Sequence, residues 1–346
     1  MHLIRKVYFI LAASLCTSSQ AFSLISSPLI KQSTITRPVS LTTLKDSAES
    51  SSLSSSSKKK IAILICPAQF CVPADYQSLI QSIQKRNPLV VSAKVAPLPR
   101  TEWIKVARQL PTQSFFTASL NNAKTLKWYF DAIESSLAEI YAETDNDTNI
   151  CIIAHSIGGW VARGYLGGLG QSSTAVYKSA LERCTSFITL GTPHSSPDSA
   201  LVDQTRGLLK EVESTYECSS EYLTENNISV TCVGSSGVKS NLLTTDLEQI
   251  VATTSYLPLI KKWSSIISEA VEGDGIVPKE LAFMDSPAKN VILEKCSKTG
   301  NPVRHAHVLP TPWNLWDGYA PSISLPDDYT WYGSDGVIDQ WIDSIQ

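Results

Sequence analysis

Three scarcities bound this 346-residue chain before any motif is considered. Histidine occurs only five times and charged residues make up 18% of the sequence. No apolar run reaches the roughly 18 residues that would cross a bilayer as a helix. The last point excludes a helical span, so any contact with a membrane is expected to be peripheral. The first means that imidazole chemistry has few residues to draw on. Cysteine is not rare, but it lacks pattern: beyond Cys16 there are seven (Cys66, Cys71, Cys151, Cys184, Cys218, Cys232, Cys296), an odd number without tight repeated spacing. That excludes a disulfide framework and a cysteine-based zinc cluster, and reads as scattered core thiols in a reducing space. A metal would have to use His305 and His307, with His194, and neither a metal nor a cofactor is expected.

Charge is also unevenly spread. Residues 1–60 hold eight of the 29 basic residues and two of the 32 acidic ones, leaving the body with 21 against 30, a net charge of −9. A body so charged does not attract nucleic acid. Within the basic segment, Arg5 and Lys6 precede the short apolar stretch Val7–Leu15, and Thr17-Ser-Ser-Gln-Ala21 offers small residues for cleavage. Residues 22–60 are rich in Ser, Thr and Lys and close on Ser54-Ser-Ser-Ser-Lys-Lys-Lys60, a composition that does not bury a core. A signal-peptide-like stretch, then Phe22, then a hydroxylated basic tract resembles the bipartite leader of algae with complex plastids. The expectation is a cleavable leader over 1–60 and a plastid location, with plain secretion as the alternative.

From residue 61 onward, apolar strand-like runs alternate with amphipathic stretches. Strands are predicted at Ile61–Cys66, Leu89–Val95, 149–154, Ser186–Leu190, Asn227–Val233 and Asn290–Leu293. Helices are predicted at Ala74–Arg86, Asn121–Glu143, Gly158–Leu166 and Gly336–Ile345. The alternation predicts one α/β domain over 61–346, a mostly parallel central sheet with helices on both faces. Two stretches, about 197–226 and 238–270, exceed a normal connection and carry Leu208-Leu209, Tyr222-Leu223, Leu242-Leu243, Leu247, Ile250-Val251 and Leu257 to Trp263. They are read as a helical cap inserted over about 197–270. Gly164, Gly167, Gly168 and Gly170 end a helix instead of following a strand, which excludes a dinucleotide fingerprint.

The most informative stretch is Ile150-Cys-Ile-Ile-Ala-His155-Ser156-Ile-Gly158-Gly-Trp160. An apolar strand runs into small-His-Ser-x-Gly-Gly and then into an amphipathic helix, with Ser156 at the apex. A strand-to-helix turn this sharp needs small residues two before and two after the serine, here Ala154 and Gly158, and it presents the hydroxyl at the top of a parallel sheet. A nucleophilic serine needs an acid and an imidazole further along. Gly273-Asp274-Gly275-Ile-Val-Pro278 offers a carboxylate framed by flexible backbone. Only His305 and His307 lie beyond both partners, since His2 is in the leader, His155 is inside the elbow and His194 stands in the turn after the next strand. His305, just past a predicted strand end at Val303, is the favoured base, with His307 as the alternative. An oxyanion would be held by two backbone N–H groups. The candidates are Ile157, after the serine, and Gln69, in the turn Pro67-Ala-Gln-Phe70 after the first strand.

Residues 61–346 resemble the plant and cyanobacterial branch of lipase-like α/β-hydrolases, near the GPI inositol-deacylase-like (PGAP1-like) proteins. The resemblance rests on Asp75-Tyr76, Val95-Ala-Pro-Leu-Pro-Arg-Thr-Glu-Trp103, the Ala154–Trp160 elbow with Arg163, Leu190-Gly-Thr-Pro-His194, Gly273-Asp274-Gly275, and Trp331-Tyr-Gly-Ser with Gln340-Trp341. It implies an α/β-hydrolase fold and serine-dependent ester hydrolysis through Ser156, Asp274 and a histidine. The chain departs from the family at Ala154, where Gly is usual, at Pro67-Ala68-Gln69 in place of Pro-Gly-x, and at Arg304-His305-Ala306-His307 in place of a single His. The resulting expectation is a hydrolase of carboxylic esters, acting on acyl lipids without a cofactor. The alternatives are an acyltransferase on the same triad and a non-catalytic binding protein. The apolar cap segments, poor in basic residues, favour neutral acyl lipids over phospholipids and over small acetyl esters.

Overall fold

The computed structural model describes residues 59–170, 174–196, 203–241, 243–257, 270–309 and 317–346. The expected leader, apart from Lys59 and Lys60, lies outside the described residues, as do Leu259, Ile260 and Trp263 of the expected cap.

Six strands form one parallel sheet: β1 (Ile61–Cys66), β2 (Val90–Val95), β3 (Asn149–His155), β4 (Cys184–Leu190), β5 (Ser229–Ser235) and β6 (Lys289–Leu293). Their spatial order is β2-β1-β3-β4-β5-β6. A parallel sheet is covered on both faces, so its central strands are apolar on both sides of the pleat. β1 shows this directly, with all six residues buried. Ala62, Leu64 and Cys66 point into one core and Ile61, Ile63 and Ile65 into the other, as a period of two requires.

The two faces are covered by different parts of the chain. Against the second core pack Leu79 and Ile83 of α1 (Gln77–Arg86) and the C-terminal residues Trp331, Tyr332, Val337, Ile338, Trp341 and Ile345. The first core takes α2 (Lys127–Glu143), α3 (Ile157–Leu166), and Tyr177 and Ala180 of α4 (Ala175–Arg183). It also takes Leu208, Leu209 and Val212 of α5 (Leu208–Ser214) and Leu223 of α6 (Ser220–Glu225).

This last packing differs from the cap expected over 197–270. The described part of its first half is the crossover between β4 and β5 and lies on the sheet face, because the flank of β4 and β5 needs an apolar cover. In the second half, Val238–Lys239 pairs antiparallel with Glu272–Gly273, and α7 (Leu247–Tyr256) packs beside them, burying Val251, Ala252 and Tyr256. It thus borders the loop that carries Asp274. Two other elements also differ from expectation. The helix expected over Asn121–Glu143 breaks at Leu126, because Asn122 is held by Leu208 and Glu211 of the neighbouring crossover. The closing helix expected over Gly336–Ile345 is two 3₁₀ turns, Ile338–Gln340 and Ile342–Ser344. The backbone leaves helical geometry at Trp341 between them, with φ −137° and ψ −9°, where the indole N–H donates to the Tyr332 carbonyl at 3.0 Å.

The order of the strands fixes where a site can form. The chain leaves β1 toward β2 at one edge, then crosses back over β1 to enter β3, after which the sheet grows the other way. Connections leaving the C-terminal ends of β1 and β3 therefore diverge, and a crevice opens between them. Ser156 follows β3 and the Pro67–Phe70 loop follows β1.

Behind the crevice, Arg163 of α3 is buried and donates to the carbonyls of Cys218 (2.6 Å) and His194 (3.1 Å). His194 lies between the guanidinium, 3.4 Å from Nδ1, and the Thr189 hydroxyl, 2.9 Å from Nε2. It ties the turn after β4 to α3. Burial, then the Arg163 charge, pushes its pKa well below the usual histidine value, so it stays neutral. An unfolded His194 binds a proton below about pH 6.5 that the folded one refuses, so stability is full above that pH and is lost as pH falls. Urea unfolding is expected to show stability declining from pH 6.5 to pH 5. His194→Gln, which keeps a donor toward Thr189, should flatten that decline by up to about 1.4 kcal/mol per pH unit. An unchanged slope would mean that His194 titrates alike in both states.

Candidate active site

Ser156 is held in a backbone conformation that L-residues rarely adopt, with φ 55° and ψ −128°. Such a residue costs of order 1–3 kcal/mol and persists only where its surroundings over-determine it. Here they do. Its N–H donates to the Leu190 carbonyl at 2.9 Å, and its own carbonyl accepts from Gly159 N at 3.0 Å and Thr192 Oγ1 at 2.9 Å. The turn closes because Gly158 has no side chain: a Cβ there would stand 2.4 Å from the Cys66 carbonyl oxygen and 2.7 Å from that of Pro67. Ala154, in the place where Gly is usual, is fully buried in β3, and its methyl fits within the first core.

Three side chains far apart in sequence converge on this turn. His305 Nε2 lies 2.9 Å from Ser156 Oγ, and His305 Nδ1 lies 2.7 Å from Asp274 Oδ2. The His305 N–H also donates to the Asp274 carbonyl at 2.9 Å, so backbone and side chain fix the same pair. A carboxylate on Nδ1 makes that nitrogen the donor and leaves Nε2 as an acceptor facing the hydroxyl. Asp274 is 2% exposed. Its Oδ1 accepts from Ile276 N (3.0 Å) and Val277 N (2.7 Å), and its Oδ2 also accepts from the Tyr332 hydroxyl at 2.8 Å. Burial by itself raises the pKa of this carboxyl. The adjacent His305 imidazole and the two N–H donors outweigh it and hold the group below the usual carboxylate range.

His307 sits elsewhere. Its ring stacks on Trp331 with centroids 4.3 Å apart, and its Nδ1 is buried without a hydrogen-bond partner among the described residues. Of the two candidate imidazoles, the structure brings His305 alone to both Ser156 and Asp274.

The loop after β1 is pinned from several sides. Tyr129 Oη donates to the Pro67 carbonyl at 2.5 Å, Ala68 N donates to Tyr76 Oη at 2.8 Å, and the buried Arg100 donates from Nε to the Phe70 carbonyl at 2.9 Å. Arg100 reaches Ser322, which is in turn held by Asp75, so the motif residues Asp75-Tyr76 and Arg100 brace one loop. Phe70 takes φ 61°, which turns the chain sharply after Gln69. Ile157 opens α3, so its N–H has no acceptor within the helix. The contact of Gly158 with Cys66 and Pro67 sets the helix start against this loop, bringing the Ile157 and Gln69 segments to one end of the sheet.

Sequence reasoning missed two side chains at this centre. Tyr332 on Asp274 and Tyr76 on His155 (2.9 Å) both lie in motifs noted for the resemblance, but no spacing rule ties them to their partners. Among the described residues, no group of three or more His, Cys, Asp or Glu side chains is disposed to hold a metal ion.

The model of a family described as "PGAP1-like alpha/beta domain" matches residues 114–271, a span that includes the elbow and ends just before Asp274. No curated protein matches the chain. Similar solved structures include an acetylxylan esterase, at 18% identity and TM-score 0.27 over 40% of this chain and 66% of that one. Another is Aspergillus fumigatus lipase B, at 13% identity and TM-score 0.38 over 83% of this chain and 62% of that one. A third is the pyrethroid hydrolase PytH, at 14% identity and TM-score 0.24 over 40% of this chain and 42% of that one. The chain thus spans about two thirds or less of the length of each. The parallel sheet and its elbow turn give the chain an α/β-hydrolase fold, of which residues 114–271 are similar to the PGAP1-like alpha/beta domain.

Proposed function

We propose that this protein hydrolyses carboxylic esters through an acyl-enzyme on Ser156. The observation that carries the reading is the continuous contact from Ser156 Oγ to His305 (2.9 Å) and from His305 to Asp274 (2.7 Å), with the serine at a strained apex. His305 Nε2 takes the hydroxyl proton as Oγ attacks the ester carbonyl. Asp274, kept ionised, stabilises the imidazolium that forms and holds its tautomer. The oxyanion is met by the N–H of Ile157 and by that of Gln69, donors whose placement beforehand costs no rearrangement during the reaction. The imidazolium returns the proton to the departing alkoxide, and water, deprotonated by the same imidazole, releases the acid.

The proposed substrates are neutral acyl lipids. The stretch 238–257 that borders the acid loop leaves Leu243 and Ile250 exposed, and each methylene buried against such a surface is worth about 0.8 kcal/mol. Its basic residue Lys239 is paired with Glu272 at 2.9 Å, which leaves little to recruit a phosphate.

Ser156→Ala is expected to fold normally and to lose at least about 10³-fold in kcat, together with all labelling by a fluorophosphonate. Turnover retained by that variant would remove Ser156 as the nucleophile. His305→Ala should be as inactive as Ser156→Ala, whereas His307→Ala should keep kcat within about tenfold; the reverse order would exchange their roles. On p-nitrophenyl esters, kcat/KM is expected to rise from acetate to medium chains, and neutral acylglycerols or galactolipids should be cleaved ahead of phospholipids. Highest activity on acetate would refute the lipid assignment and leave a hydrolase of small esters.

A further inference from the structure

The residue before the nucleophile is a second buried imidazole that the acyl-enzyme scheme does not use. His155 is 2% exposed, and its ring centroid lies 5.0 Å from that of His305. Its two nitrogens are both engaged. Nε2 lies 2.9 Å from the carbonyl oxygen of His305, and Nδ1 lies 2.9 Å from Tyr76 Oη. A carbonyl oxygen only accepts, so Nε2 carries the hydrogen. Nδ1 is then the acceptor and the Tyr76 hydroxyl the donor. The phenol oxygen in turn accepts from the N–H of Ala68, at 2.8 Å, in the loop that holds Gln69. Every donor points the same way: Ala68 to Tyr76, Tyr76 to His155, His155 to the backbone of His305. Bonds aligned in this manner polarise and strengthen one another.

We propose that Tyr76 and His155 are positioning residues, forming an electrically neutral relay that fixes the oxyanion loop and the backbone of His305 relative to one another. This rests on the reading of Ser156 and His305 as nucleophile and base. The two ends of the relay are the parts of the site that must be in register as the tetrahedral intermediate forms: the donor side, which follows β1, and the base, which arrives 236 residues after Gln69 in the loop before Val308. Asp274 holds the ring and the N–H of His305, and the relay holds its carbonyl. The relay must stay neutral. A proton on Nδ1 would turn an acceptor into a donor, reverse the Tyr76 hydroxyl, and place a positive charge beside the imidazolium that forms on His305. Burial and the neighbouring His305 push the pKa of His155 down to about 3, so the acceptor is retained at any working pH. Trp331, 5.4 Å from the His155 ring and 6.1 Å from that of Tyr76, closes the relay off from solvent.

The test uses Tyr76→Phe, His155→Phe and His155→Gln, the double Tyr76→Phe/His155→Phe, and the full chain labelled with ¹⁵N in histidine. Tyr76→Phe and His155→Phe are expected to lower kcat, and the rate of fluorophosphonate labelling of Ser156, by about ten- to a hundredfold with KM nearly unchanged. His155→Gln, whose amide keeps a donor toward the His305 carbonyl, should recover most of the loss. The double variant should lose little more than either single one, because both break the same chain. In the unmutated protein, the His155 ¹⁵N signals should show Nε2 protonated and Nδ1 bare from pH 5 to pH 8. Unchanged kcat and labelling in folded Tyr76→Phe, losses that multiply in the double variant, or an Nδ1–H tautomer would each overturn the relay. If His155→Phe does not fold, Tyr76→Phe and the tautomer decide the matter. An unmutated protein that neither labels at Ser156 nor cleaves esters would instead bring down the reading of the site itself.

Discussion

The backbone of Ser156 is the constraint on which the rest of this molecule turns. Its φ of 55° is unfavourable for any residue with a side chain, and nothing local to the tripeptide stabilises it. It is held because β3 hands the chain to α3 in a space bounded by the end of β1, the end of β4 and the Thr192 hydroxyl. The closeness of that packing requires the backbone of Gly158 to rest on the carbonyls of Cys66 and Pro67. The strain therefore has its counterpart in the sheet: two core faces, buried over their length, press the strand ends together at the switch between β1 and β3.

Around that turn the electrostatics are arranged by hydrogen bonding more than by net charge. Asp274 sits almost out of contact with water, yet its carboxylate is surrounded by His305, Tyr332 and two backbone donors, and so remains an anion. Two imidazoles that are 2% exposed, His155 and His194, have depressed pKa values and are each held neutral between a donor and an acceptor. The result is a centre in which the imidazole that faces Asp274, that of His305, is also the one that faces the serine hydroxyl. Arg163 and Arg100, both buried, direct their donors to backbone carbonyls of surrounding loops and to His194 and Ser322, which places their effect in the shape of the site and not at the serine.

What was legible in the sequence follows from the same physics. A parallel strand buried on both faces is largely apolar, so β1 and the Ile150–Ala154 part of β3 announce themselves as runs of Ile, Leu, Ala and Cys. A turn that brings a helix onto a strand end must use small residues, so Ser156 could be picked out from Ala154 and Gly158. Asp274 and the pair His305 and His307 followed, as candidates, from chain order and from the scarcity of histidine. The extent of the cap did not follow, because helices that cover a sheet and helices that cover a site carry the same apolar spacing. Only the packing of Leu208, Leu209 and Leu223 into the first core separates them.

The sequence by itself determined the layered α/β architecture, the serine at the apex, and the small set of groups able to serve it, since these depend on local periodicity and on which residue types occur at all. The tertiary structure alone decided between His305 and His307. The two differ by a single intervening residue, yet one ring meets Asp274 and the other stacks on Trp331. It alone also brought Tyr332 to Asp274 and Tyr76 to His155. Those contacts join residues 58 and 79 positions apart, and no pattern of short range can encode where two distant stretches of backbone will meet until the sheet between them has closed.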